Sequence, residues 1–162
     1  MNHHRTLSDQ ESARLATVVV AAQAAASDWV SAELTPTAQY AAEIDRWNED
    51  RLTAWLPLNS TTPSDRKTSP SHLVVSMDQA SARRFADRAF VEVGVVPDQS
   101  LLGDCVAEFA NLIAGRAKAL TSGTPEHFLL GLPTLESPPL GKHLVAILAG
   151  EIGEVVVALR AV

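Results

Sequence analysis

The stretch that decides the fold is Asp104-Cys-Val-Ala-Glu108-Phe-Ala-Asn111-Leu-Ile-Ala-Gly115. At about 100° per residue, an α-helix through this stretch gathers its apolar side chains on one stripe. That stripe consists of Val106, Phe109, Ala110, Ile113, Ala117 and Leu120. We expect it to pack against a sheet, which leaves the opposite side of the helix for solvent or for a partner.

The opposite side of the same helix carries Asp104, Glu108, Asn111 and Gly115 within roughly 60° of one another. Glu108 and Asn111 therefore point outward side by side. Gly115 removes a side chain from the same stripe, so another protein's backbone could approach closely there. On spacing alone, a Glu and an Asn three residues apart are more typical of ordinary solvated helix surface.

Two further helices and the limits of this one follow from capping signals. Asp98 after Pro97 begins the helix, which is predicted to end near Thr121 with Gly123 as its C′ residue. Residues 9–26 form an alanine-rich helix opened by a Ser8–Glu11 capping box. Asp78 caps a third helix, whose inner face includes Phe85 and Ala86.

Six segments have the composition or alternation of β-strands. They are residues 37–45, 51–58, 72–77, 127–132, 143–149 and 154–161. We expect the first two to form one hairpin and the last two, bracketed by Gly150 and Gly153, another. Residues 59–71 are rich in Ser, Thr and Pro and predict a long flexible loop. The element order predicts an α+β fold, an antiparallel-rich sheet with two long helices packed on one face.

Composition excludes several functional classes. The 162 residues carry a formal net charge of -6, so a nucleic acid is not an expected partner. Cys105, the single cysteine, forms no internal disulfide and has no metal-ligand spacing. No apolar run reaches the ~20 residues of a membrane span. The start of the chain could imitate a secretory signal, but the capping box favours an ordinary helix and a cytoplasmic protein.

The helix with its downstream proline resembles the CheC/CheX/FliY phosphatases of bacterial chemotaxis. Their signature is Asp or Ser, three residues, Glu, two residues, Asn, about 21 or 22 residues, and Pro. It is matched here by Asp104, Glu108, Asn111 and, after residues 112–132, Pro133. From average residue usage, such a match arises by chance on the order of once in several hundred sequences.

The resemblance implies a single CheX-like domain over residues 1–162, with one copy of the motif. Its convincing part covers about residues 72–162, and the loop 59–71 is a local elaboration. The implied activity is hydrolysis of the aspartyl-phosphate of a CheY-like response-regulator receiver domain. Magnesium would come from the receiver's own acidic pocket, and the chain would hold no cofactor of its own.

The resemblance also implies a role for each motif residue. Asn111 would position the attacking water, and Glu108 would pair with the receiver's lysine and dock the helix. Asp104, Gly115 and Pro133 would support the site or contact the partner, although Asp104 is equally typical of a solvated acid in the first turns of a helix.

Two other functions remain open from the sequence. The domain could bind a phosphorylated receiver without turnover, or it could be a structural component of a flagellar switch, a role that the resembling family also includes. A homodimer through a strand edge is compatible with either.

Overall fold

The computed structural model describes residues 4–61 and 72–160, which form nine helices and strands. In chain order these are α1 (Asp9–Val30), β1 (Leu34–Ile44), β2 (Leu52–Ser60), β3 (His72–Met77), α2 (Gln79–Ala89), α3 (Gln99–Leu120), β4 (Phe128–Leu130), β5 (Gly141–Gly150) and β6 (Gly153–Arg160). The predicted α+β class and element order are confirmed.

The strands form one antiparallel sheet in the order β1-β5-β6-β3-β2-β4. All six residues of β3 are buried, which fits its position inside the sheet. The three helices cover one face, where the main hydrophobic core lies. A smaller apolar cluster around Val74, Val145 and Ala158 covers part of the other face.

The predicted capping signals set the helix starts. Ser8 and Glu11 form the reciprocal capping box of α1, and Asp78 and Asp98 accept backbone N–H bonds at the starts of α2 and α3. Helix α3 ends at Leu120 with Thr121 as its C-cap. Gly123 lies two residues beyond the cap, so its positive φ of 78° belongs to the following turn and not to the predicted C′ position.

The predicted hairpin of the first two strands is wrong. β1 pairs with β5 and β2 pairs with β3 and β4, so three strands separate β1 from β2. Alternation reports which side chains share a face, but it does not identify the neighbouring strand. The second predicted hairpin is confirmed, because β5 pairs with β6 and Gly150 lies opposite Gly153.

The boundary of the predicted loop 59–71 also moves. Asn59 and Ser60 belong to β2, where they pair with Leu129 and Phe128 of β4. The remainder of that prediction, residues 62–71, lies outside the described residues. At the start of the described chain, Arg5 forms a backbone bridge with Ala41 and an ion pair with Glu11.

The strap, defined here as residues 131–140, connects β4 to β5 and follows β2. Gly131 and Thr134 make backbone hydrogen bonds to Pro57 and Trp55 of β2. The Trp55 and Trp47 indoles donate to Glu136 O and Pro139 O at 3.1 and 3.3 Å. The strap therefore continues the sheet edge beyond β4.

A buried histidine pair lies on the sheet face opposite the helices. His143 Nδ1 is 2.9 Å from Gly141 O, so we assign the proton of His143 to Nδ1. His143 Nε2 then accepts a bond from His72 Nε2 at 3.0 Å, so the His143 ring is neutral. Burial, followed by the nearby His143 and Arg160, lowers the pKa of His72 from 6.5 to about 4. Burial also lowers the pKa of His143.

We predict that the free energy of unfolding falls as the pH drops from about 6.5 toward 4. The unfolded chain binds a proton at His72 near pH 6.5, whereas the folded chain resists it until about pH 4. At about 1.4 kcal/mol per pKa unit, this difference corresponds to roughly 3 kcal/mol. Urea unfolding of the wild type between pH 7.5 and 4 measures the loss.

The His72→Gln variant should lose much of this pH dependence, although its stability at pH 7 will also fall. His127→Gln is the matched control, since His127 is outside the pair, and it should keep the wild-type slope. Equal slopes in His72→Gln and the wild type would contradict the assignment.

Candidate functional site

The orientation of α3 fixes the candidate site. Helix α3 packs against α1, α2, β2, β3 and β4. Its inward residues Val106, Phe109 and Ile113 are at most 1% exposed. The helix cannot rotate without exposing this stripe, so the opposite side is held outward.

The outward stripe, defined as Asp104, Glu108, Asn111 and Gly115, differs in accessibility from residue to residue. Asp104 and Glu108 are exposed, and Asn111 and Gly115 are half-buried. The structure therefore brings four of the five predicted site residues onto one surface. Within residues 4–61 and 72–160, neither the Glu108 carboxylate nor the Asn111 amide makes a hydrogen bond or ion pair. Both groups are available to an incoming molecule.

Gly115 leaves open space on this stripe. A Cβ built on Gly115 would have no other atom within 4 Å, so internal packing does not require glycine here. Gly131 is different, because its Cβ would lie 2.5 Å from Pro57 Cγ. A mid-helix glycine without a packing reason costs stability and leaves the backbone accessible.

Pro133 is in the strap, between the two backbone contacts to β2. Leu135 of the strap lies against the start of α3. A Cβ built on Gly103 would be 2.9 Å from Leu135 Cδ1. Phe128, just before the strap, lines a cavity with Ala117 near the end of α3. The connection from β4 therefore runs antiparallel to α3, and Pro133 is on the part that approaches the N-terminal end of the helix.

Exposed leucines accompany the strap. Leu132 is 87% exposed, and Leu129 and Leu135 are about half exposed. The sequence analysis did not single out these residues. Leucines beside a predicted partner-binding motif were the available signal. Of the three, Leu135 approaches the start of α3. Leu129 alternates in β4 with the core residues Phe128 and Leu130, so it points away from the helices.

Cys105 is buried beneath the outward stripe. Its side chain is 2% exposed, and burial together with the Asp104 charge raises the pKa of its thiol to about 11. The thiolate, which is the nucleophilic form, is therefore scarce at neutral pH. The Cys105 side chain belongs to the hydrophobic core.

Arg116 provides a fixed positive charge next to Gly115. It forms an ion pair with Asp28 of α1, and both side chains are partly exposed. The pair joins the two long helices at the surface. Because the Arg116 guanidinium donates to the Asp28 carboxylate, the Arg116 side chain is oriented toward α1.

The described residues contain no group of three or more His, Cys, Asp or Glu side chains suited to holding a metal ion. None of the helices described is long and apolar enough to cross a membrane. The candidate site thus consists of an amide, two carboxylates and a bare backbone position on a rigid helix.

This α+β arrangement is the fold shared by CheX, CheC-like and FliY structures. No protein-family model matches the chain, and no curated protein matches it. The chain is similar to CheX from Desulfovibrio desulfuricans, with a TM-score of 0.72 and 16% identity over 91% of this chain and 98% of that chain. The resemblance stated from the motif is thereby confirmed at the level of the fold.

Two other solved structures share the fold. A chain of the CheX-CheY-BeF3-Mg2+ complex from Borrelia burgdorferi matches with a TM-score of 0.60 and 17% identity, covering 91% of this chain and 98% of that chain. FliY from Thermotoga maritima matches with a TM-score of 0.62 and 13% identity, covering 96% and 92%. The similarity covers more of the chain than residues 72–162, the part over which the sequence resemblance is convincing.

We predict that Gly115→Ala raises the free energy of unfolding by about 0.5–1 kcal/mol, because alanine is the better helix former and its Cβ enters open space. Gly131→Ala is the matched comparison and should destabilise, since its Cβ collides with Pro57. Urea unfolding measures both. A loss of stability in Gly115→Ala would show that the position is packed and not available to a partner.

Proposed function

We propose that the chain is a phosphatase for the aspartyl-phosphate of a CheY-like receiver domain. The observation that carries the proposal is that Glu108 and Asn111 lie side by side on the outward stripe. Neither has a hydrogen-bond or ion-pair partner among the described residues. An aspartyl-phosphate is a reactive mixed anhydride. Its hydrolysis needs a water held in line with the phosphorus more than it needs a strong nucleophile.

Asn111 is the residue proposed to hold that water. Its carbonyl oxygen can accept a hydrogen bond from the water while its NH₂ donates a hydrogen bond to a phosphoryl oxygen. The backbone of α3 is anchored by the buried stripe, so little conformational entropy is lost when the amide engages. In the hydrolysis, the water oxygen forms a bond to phosphorus, the bond to the aspartyl oxygen breaks, and inorganic phosphate leaves.

Glu108 is proposed to dock the receiver. A carboxylate acting as a base beside a phosphoryl anion would add negative charge where charge is already high. Pairing with the receiver's lysine instead gives a directional charge-assisted bond, which strengthens as water leaves the interface. Asn111 is one turn away, so docking at Glu108 would set its register.

The remaining motif residues are proposed to shape the contact. Gly115 lets the receiver's backbone approach α3, and Asp104 extends the acidic edge. Pro133 restricts the strap beside the helix. Magnesium is proposed to arrive with the receiver. A receiver-domain partner would also place the reaction in the cytoplasm.

The solved complex from Borrelia burgdorferi contains both CheX and CheY together with BeF3 and Mg2+. Its fold similarity to this chain supports a receiver-like partner for the outward stripe. The similarity to FliY supports a second candidate, a flagellar role in which the domain binds partners without turnover. Phosphate release separates the two.

The direct test mixes the chain with a panel of receiver domains carrying labelled aspartyl-phosphate and follows phosphate release. We predict that Asn111→Ala lowers kcat roughly hundredfold, since loss of positioning carries a cost of this size. Its affinity for the receiver should change little. An unchanged kcat in Asn111→Ala would contradict the role of the amide.

Glu108→Ala should act mainly through docking. Loss of one charge-assisted partner predicts a KM raised about ten- to hundredfold with a smaller change in kcat. Glu92→Ala is the matched control, because Glu92 is exposed and lies outside α3. Tight binding with no phosphate release by the wild type would support the binding-only function instead.

A further inference from the structure

A cavity of about 310 Å³ lies at the C-terminal end of α3, between that helix, the first half of α1 and the strand edge. Its volume is at the lower end of the range for small-molecule sites. Most of its wall is apolar. The apolar wall consists of Val18, Leu58, Ala117, Leu120, Phe128 and Leu159.

Arg14 brings a buried donor without an acceptor to this wall. Its side chain lines the cavity and its Nε is buried without a hydrogen-bond acceptor. Within the described part of the chain, Arg14 forms no ion pair, whereas Arg5, Arg88 and Arg116 each have a carboxylate partner. A buried donor without an acceptor is costly, so an acceptor supplied by a ligand would stabilise the site.

Glu126 also lines the cavity, but it forms no ion pair with Arg14. Its charge limits the kind of anion that fits. A phosphate monoester carries nearly two negative charges at neutral pH, and Glu126 would repel it. A carboxylate carries one charge and can bind a guanidinium through two parallel hydrogen bonds.

We propose that this cavity binds a small amphipathic carboxylate, with its carboxylate on Arg14 and its aliphatic body against the apolar wall. The same chemistry can come from a simple fatty carboxylate or from an aliphatic α-amino acid, whose ammonium group would face Glu126.

This site is separate from the proposed phosphatase site. Ala117 of the cavity is buried on the core side of α3, and Leu120 is nine residues after Asn111, which is about 14 Å along the helix axis. Binding at the cavity can therefore be measured with or without a receiver domain, and it does not rest on the proposed function.

The test titrates the full chain with octanoate, 2-aminooctanoate and octylammonium, which share one aliphatic body and differ in charge. Calorimetry and side-chain methyl NMR report binding. We expect octanoate to bind at least tenfold more tightly than octylammonium, with shifts at the methyl groups of Val18, Leu120 and Leu159. If 2-aminooctanoate binds more tightly than octanoate and this advantage is lost in Glu126→Gln, the natural ligand class is the aliphatic α-amino acid and not the simple fatty carboxylate.

Arg14→Gln should weaken octanoate binding at least tenfold, because it removes the charge-assisted bonds. Arg46→Gln, which makes the same charge change on an exposed residue outside the cavity, should bind as the wild type does. Thermal unfolding without ligand checks that both variants fold. The proposal is overturned if none of the probes binds, if octylammonium binds equally well, or if Arg14→Gln keeps the wild-type affinity.

Discussion

Burial of one stripe of α3 is the constraint on which the rest of the structure depends. Phe109 and Ile113 are completely buried beneath the helix. Burying a large apolar side chain contributes about 1.5–3 kcal/mol, so several such residues hold α3 in a single rotational setting. Because α3 is fixed in this way, Glu108 and Asn111 face outward as a consequence of packing. The site requires no strained backbone, and its precision comes from the core.

The sheet supports this setting from both sides. β3 is buried throughout, and it carries residues into the main core and into the cluster around the His72–His143 pair. The strap is bound to β2 by backbone bonds and to the second face by the indoles of Trp47 and Trp55. One connection thus links the face that packs on the helices to the face that does not.

Local signals in the sequence were sufficient for much of this structure. The N-caps, the stripe of α3 from Val106 to Ala117 and the glycines of the last hairpin act through neighbours in the chain, so their effects can be predicted without the fold. Leu120, expected on the same stripe, is 55% exposed. The partner of β1 could not be predicted, because alternation along residues 37–45 is the same beside β5 as beside β2. The strap, the histidine pair and the orphan Nε of Arg14 arise from residues distant in sequence, and no periodic pattern marks them.

The outward stripe of α3 is the surface that we propose to meet a receiver domain. The most direct measurement is an NMR footprint of the chain, including the side-chain amide of Asn111, with a receiver carrying beryllium fluoride and magnesium in place of the phosphate. We expect the largest changes on residues 104–115 and on the adjoining strap. Changes centred on the face with Trp47 and Trp55, or none with any receiver of the panel, would contradict the proposal.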